Sequence, residues 1–151
     1  MVRCPIELLQ AEFKNSEQVR DFFVSYSETQ LSQVQQTVAC NARHTTEQRM
    51  CRWLLMMHDR ANGEPLPYTH EFLSHMLGAN RKSVTLAARA MQSAGLIEYR
   101  RGRIQVVDRP GLEKAACECY AIVKERFDAF LTPPATAVQG DTKGRSDAGG
   151  R

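Results

Sequence analysis

Two short amphipathic segments separated by one glycine constrain this chain more than any other feature. The first runs from His70 to Leu77 behind Thr69, whose hydroxyl suits a helix N-cap. Gly78 stops it, because glycine takes a left-handed backbone without steric cost. Asn80 or Arg81 opens the second segment, which ends near Ala94-Gly95. Phe72, Leu73, Met76 and Leu77 form the expected buried face of the first segment. Val84, Ala87, Ala88 and Met91 form that of the second. The small side chains of Ala87 and Ala88 permit close helix approach.

The surrounding sequence completes a mainly α fold. Leu96 to Tyr99 and Ile104 to Val107 read as strands, with apolar Ile97, Tyr99, Ile104 and Val106 at every second position. Arg100-Arg101-Gly102-Arg103 is the turn between them, with Gly102 able to take positive φ. Asp108 to Gly111 interrupts the pattern, and Leu112 to Leu131 is expected to form one final amphipathic helix. Upstream, Pro5 opens a short helix, Ile6 to Lys14. Asn15 and Ser16 offer caps for a long helix from Glu17 to Ala42, which contains no Gly or Pro. Val24, Ser27, Leu31, Val34, Val38 and Asn41 recur on it at alternating three- and four-residue steps, a narrow stripe suited to a partner helix or to its own domain. Thr45, Thr46 and Gln48 start another helix, Thr46 to Arg60, with Met50, Trp53, Leu54 and Met57 on its apolar side. Asn62-Gly63 ends it, and Glu64 to Tyr68, with two prolines, is extended.

The expected architecture is a winged helix-turn-helix: a three-helix core with a small β-hairpin wing, preceded by a long dimerisation helix. The divisions are 1–43 for the N-terminal helices, 44–131 for the winged domain, and 132–151 for a tail. Its Pro, Gly, Ala, Thr and charged residues cannot bury a core, so it is expected to be disordered.

Composition narrows the function. The 151 residues are 42% hydrophobic and 25% charged, ordinary for a globular protein. No apolar run approaches the ~20 residues of a membrane helix, and the N-terminus carries no secretory pattern. A cytoplasmic protein with no membrane partner is expected. Five cysteines, an odd number, argue against a disulfide framework. The net charge of +3 is unevenly spread. Between Asn80 and Arg103 six basic residues face the single acid Glu98, so the rest of the chain is slightly acidic. Such a local basic face suits a polyanion.

The charges sit where a DNA reader needs them. In a helix-turn-helix the second helix enters the major groove and its first residues meet base edges. Here those are Asn80, Arg81, Lys82, Ser83 and Thr85, with Arg89 further along. Arg100, Arg101 and Arg103 on the hairpin can lie along phosphates. With Thr69 and His70 at the start of the first helix, these are the candidate contacts to double-stranded DNA.

From about Gln36 to Leu131 the chain resembles the C-terminal DNA-binding domain of Crp/Fnr-type transcription regulators. The landmarks are Glu47-Gln48-Arg49-Met50-Cys51-Arg52-Trp53-Leu54-Leu55, Pro65-Leu66-Pro67-Tyr68-Thr69, Phe72-Leu73-Ser74-His75-Met76-Leu77-Gly78, Val84-Thr85 and Ala94-Gly95-Leu96-Ile97. The resemblance implies a homodimer on a two-fold symmetric operator, with Val24, Leu31, Val34 and Val38 as the dimerisation seam and RNA polymerase as a further candidate partner. Such regulators carry an N-terminal β-roll that senses an effector. Nothing before Glu17 can form one, so the chain reads as a shortened relative or the product of a late start site, without a response to cyclic nucleotides. In the recognition helix Arg81 matches the family's first arginine. Lys82 stands where its glutamate would be and Leu86 where its later arginine would be, so the family's usual half-site is not carried over.

Other chemistry finds little support. On a helix Cys117 and Cys119 point about 200° apart, so one metal site cannot easily use both, and two buried small hydrophobes is the better reading. His70 and His75 are poorly spaced for a shared ion. Trp53 belongs to the core. No C-x-x-C, P-loop, nucleophile–base pair or paired carboxylates stand out. No metal, no cofactor and no enzymatic activity are therefore expected. The competing reading is a protein–protein module that pairs with a full-length relative, and that reading does not require the basic turn and wing.

Overall fold

A computed structural model of the chain describes residues 3–132; the expectation of a disordered tail falls, from residue 133 on, outside the described residues. The order of elements is α1 (Ile6–Asn15), α2 (Glu17–Arg43), α3 (Thr46–Arg60), α4 (His70–Leu77), α5 (Arg81–Ser93), β1 (Ile97–Arg100), β2 (Arg103–Val106), α6 (Arg109–Ala115) and α7 (Cys119–Leu131).

Local sequence signals set most of these boundaries. Ser16 separates α1 from α2 and accepts from the Val19 amide at 3.3 Å. Arg20 donates to the Phe13 and Lys14 carbonyls at the end of α1. Thr45 and Gln48 form a reciprocal capping box at the start of α3. Gly78 closes α4 at φ 55, ψ 42, the left-handed conformation expected of it.

Helix α3 is the centre of the domain. Every residue from Arg49 to Met56 is buried, because α4, α5, α6 and α7 surround it. The expected one-sided face of Met50, Trp53, Leu54 and Met57 is thus too narrow a description. Leu73, Leu77, Val84, Ala87, Ala88, Met91, Ile97, Ile104 and Leu112 complete the core. Phe72 and Met76, expected to be buried, are instead 40% and 49% exposed. An eight-residue helix turns only one narrow stripe to the core, and Leu73 and Leu77 fill it. Phe72 stacks on Tyr68 at 5.0 Å and meets the edge of Trp53.

The two strands pair antiparallel, with Ile97 opposite Val106 and Arg100 opposite Arg103. Arg101 and Gly102 are the two turn residues, at φ 49 and 76, so the hairpin closes through a two-residue turn of the mirror-image type. Leu66 exchanges both backbone hydrogen bonds with Ile104, at 2.8 and 2.9 Å, and adds a one-residue third strand to the hairpin. Pro65 and Pro67 on either side prevent that strand from growing.

The expected single C-terminal helix is two helices. Asp108 caps α6 by accepting from the Gly111 amide at 2.9 Å, with Pro110 in the first turn. Ala116 is extended, at φ −74 and ψ 159, and ends α6 before α7 begins. Cys117 therefore lies outside any helix. The expected divergence of Cys117 and Cys119 fails with the helix that would have imposed it, and both thiols turn toward Cys40 at the end of α2.

Gly111 makes the α6 cap possible. A β-carbon there would lie 2.2 Å from Asp108 Oδ2 and 2.7 Å from Leu96 Cδ2. Gly111→Ala must therefore displace the capping carboxylate or the leucine. The expected cost is about 1–3 kcal/mol, read as a lower denaturant midpoint at unchanged slope. An unchanged midpoint would mean that the cap contributes nothing.

Candidate nucleic-acid interface

The recognition geometry begins with the two caps that orient α4 and α5. Thr69 accepts from the Phe72 amide at 3.2 Å, and Asn80 accepts from the Lys82 amide at 2.8 Å. Each cap occupies its own side-chain oxygen, so what Asn80 offers outward is its amide N–H group. Arg49, buried on α3, donates to the Leu77 carbonyl at the end of α4. That bond places a cation on the negative end of the helix and fixes the turn between α4 and α5.

Helix α5 divides into two arcs. At 100° per residue, Val84, Ala87, Ala88 and Met91 span about 100° and are all buried. Arg81, Thr85, Arg89, Lys82 and Leu86 span about 140° on the other side. Of these only Thr85 is half-buried; the rest are exposed and, with Asn80, line one shallow concavity. Ser83 is exposed beyond the edge of that arc.

His70 joins this face to the hairpin. Its Nδ1 lies 3.2 Å from Thr85 Oγ1, and its ring stacks on Tyr99 of β1 at 4.3 Å. Burial pushes its pKa below the ordinary value, and the charges of Arg81 and Arg89 push it further. The neutral ring is thus packed among α4, α5 and β1, and its Nε2 is buried without a partner.

The hairpin carries the remaining cations. Arg100, Arg101 and Arg103 are all exposed. Arg100 pairs with Glu98 at 2.6 Å, an exposed contact worth about 0–1 kcal/mol that another anion can replace. A β-carbon on Gly102 would come within 3.6 Å of the Thr69 methyl, so the hairpin tip lies beside the start of α4. The structure thus brings Thr69, His70, Thr85, Arg81, Arg89 and the hairpin into one neighbourhood. Lys82 and Ser83 are connected to it through α5 alone. Sequence reasoning missed Tyr99, which orients His70, and Gln92, whose Oε1 accepts from the Tyr99 amide at 3.2 Å. Contacts between residues seven apart across a turn leave no periodic signal.

Among the described residues, no helix is long and apolar enough to cross a membrane.

The Crp-like helix-turn-helix domain model matches residues 48–115. A similar solved structure is that of a protein described as a transcriptional regulator of the Crp/Fnr family, from Eubacterium rectale ATCC 33656. It shares 26% identity and a TM-score of 0.55, over 74% of this chain and 51% of that one. This chain thus spans about half the length of that regulator. No curated protein matches the chain. Neither match is to an enzyme. At residues 48–115 the chain thus carries a Crp-like helix-turn-helix domain, with the two-stranded hairpin as its wing.

Proposed function

We propose that the protein is a sequence-specific DNA-binding transcription regulator that lays α5 in the major groove and its hairpin along the phosphates. The observation that carries this reading is the division of α5. One arc is fully buried, while the other holds Arg81, Lys82 and Arg89 beside a hairpin with three further arginines. A surface meant only for solvent has no need of cations gathered on adjoining elements. Leu86, 63% exposed among these cations, is suited to a thymine methyl in the groove. The cytoplasmic location expected from the sequence goes with such a partner.

The reading includes a dimer. Val24, Leu31, Val34 and Val38 are between 53% and 65% exposed. The other side of α2 is already engaged within its own chain. Arg60 donates to Gln33, Arg52 to Thr37, and Cys40 meets Cys117. The stripe is therefore free for a second copy. A symmetric pair would set two α5 helices about one DNA turn apart, ~34–36 Å. One helix pair is a small seam, so DNA would stabilise the dimer by mass action. The basic arc and hairpin favour this reading over a module that only pairs with a relative.

The test is the salt dependence of binding to duplex DNA. The hairpin variant is Arg100→Ala, Arg101→Asn, Arg103→Ala; asparagine at 101 tolerates the positive φ that alanine resists. The expected result is weaker binding to specific and random duplexes alike. The log–log salt slope should be shallower by ~0.9 for each phosphate contact removed. An unchanged slope takes the hairpin out of the interface.

A further inference from the structure

We propose that Cys40, His44, Cys117 and Cys119 form a tetrahedral site for one thiophilic divalent cation, zinc by preference, which staples the end of α2 to the α6–α7 junction. Their four ligand atoms all lie within 4.8 Å of one another. Cys40 Sγ is 3.6 Å from Cys117 Sγ, and Cys119 Sγ is 3.6 Å from His44 Nδ1. Around one zinc ion, bond lengths of about 2.3 Å to sulfur and 2.0 Å to nitrogen give tetrahedral edges of ~3.8 Å for S–S and ~3.5 Å for S–N. The two short separations match those edges, and the widest, 4.8 Å, exceeds the S–S edge by only about 1 Å. An iron–sulfur cluster binds its cysteines to separate irons and holds them farther apart than one ion does.

The surroundings are those of a metal site rather than of an apolar plug. The three cysteines pack as a cluster separate from the main core. His44 turns its other ring nitrogen to Glu118 Oε1 at 3.3 Å, the carboxylate partner that commonly orients a metal-bound histidine. Gln36 donates to Cys119 Sγ at 3.0 Å, a bond that suits a thiolate. Arg52 is 3% exposed and takes part in none of the ion pairs among the described residues. Three thiolates, a neutral histidine and a divalent cation sum to one negative charge, which would balance that buried guanidinium. A Cys40–Cys117 disulfide, the other chemistry open to the pair, would leave Cys119, His44, Gln36 and Glu118 without a role.

The cation would join residues far apart in sequence and so couple the proposed dimerisation helix to the winged domain. The experiment uses the whole untagged chain, kept reduced, and reads metal rather than DNA binding, so its outcome is independent of the regulator reading. The expected result is one zinc per chain retained through desalting. Cobalt(II) in its place should show the intense visible bands of a tetrahedral ion and a thiolate charge-transfer band. Cys119→Ser should lose both signals, Cys51→Ser should keep them, and circular dichroism checks that each variant folds. His44→Cys should retain cobalt and shift its bands toward an all-thiolate site. A folded, reduced native chain that holds no zinc and gives no thiolate–cobalt band overturns the proposal. So does a native chain isolated metal-free with Cys40 and Cys117 joined.

Discussion

Leu31→Asp with Val34→Asp is expected to weaken binding to a palindromic operator by about 10²–10⁴-fold, the range by which linking two binding modules exceeds a single one. Both side chains are more than half exposed on α2 and lie outside the core of their own chain. The variant should therefore fold as the native protein does and bind an isolated half-site unchanged. What it loses is the second reading head, because two carboxylates on each side of the seam repel and must be desolvated to meet. Sedimentation with and without operator DNA reads the stoichiometry directly. A variant that keeps native affinity at two chains per operator would show that the seam lies elsewhere.

Arg81→Ala is the second large effect. Arg81 opens α5, is exposed, and has no ion-pair partner among the described residues. If its fork grips a guanine edge, truncation costs about 1–3 kcal/mol per half-site, and a symmetric operator feels it twice. On random duplexes the loss should be far smaller. The measurement is a pair of titrations, one on the selected operator and one on scrambled DNA, at the same salt. Equal losses on both would assign Arg81 to a phosphate. The same substitution removes one of the two charges that depress His70, so the His70 pKa should move back toward its ordinary value.

The helix boundaries were legible because the signals that set them are local. Thr45 with Gln48, Thr69, Gly78 and Asn80 each act within a few residues, and the structure uses each where the sequence placed it. The periodic apolar positions of α5 were equally plain. The break at Ala116 was not. No Gly or Pro lies between Ala115 and Tyr120, and the periodicity runs on through it. The chain turns there because Leu112 and Tyr120 pack beside α3 while Arg109 ties the two helices to it. Arg109 donates to Asp59 and to the Tyr120 hydroxyl, each at 2.7 Å. The cysteine–histidine cluster was hidden for the same reason, since Cys40 and Cys117 are 77 residues apart and meet only once that turn has formed. The residues proposed to face DNA can be picked from the sequence by type and position alone. Which of them adjoin His70 depends on a hairpin folding back on α4, and no single segment encodes that contact.

The 27-residue α2 also acts as a lever. At 1.5 Å per residue it is about 40 Å long, and it is fastened to the winged domain along much of that length, from Phe22 and Tyr26 against Phe130 of α7 to Cys40 against Cys117. In the proposed dimer, a change in the tilt between the two copies of α2 would carry each reading head along the DNA, where a shift of about 3.4 Å is one base-pair step. The angle at which two chains cross would then be a ruler for the distance between half-sites. Any contact that stiffens the joint between α2 and the domain would sharpen the ruler's scale without touching a base.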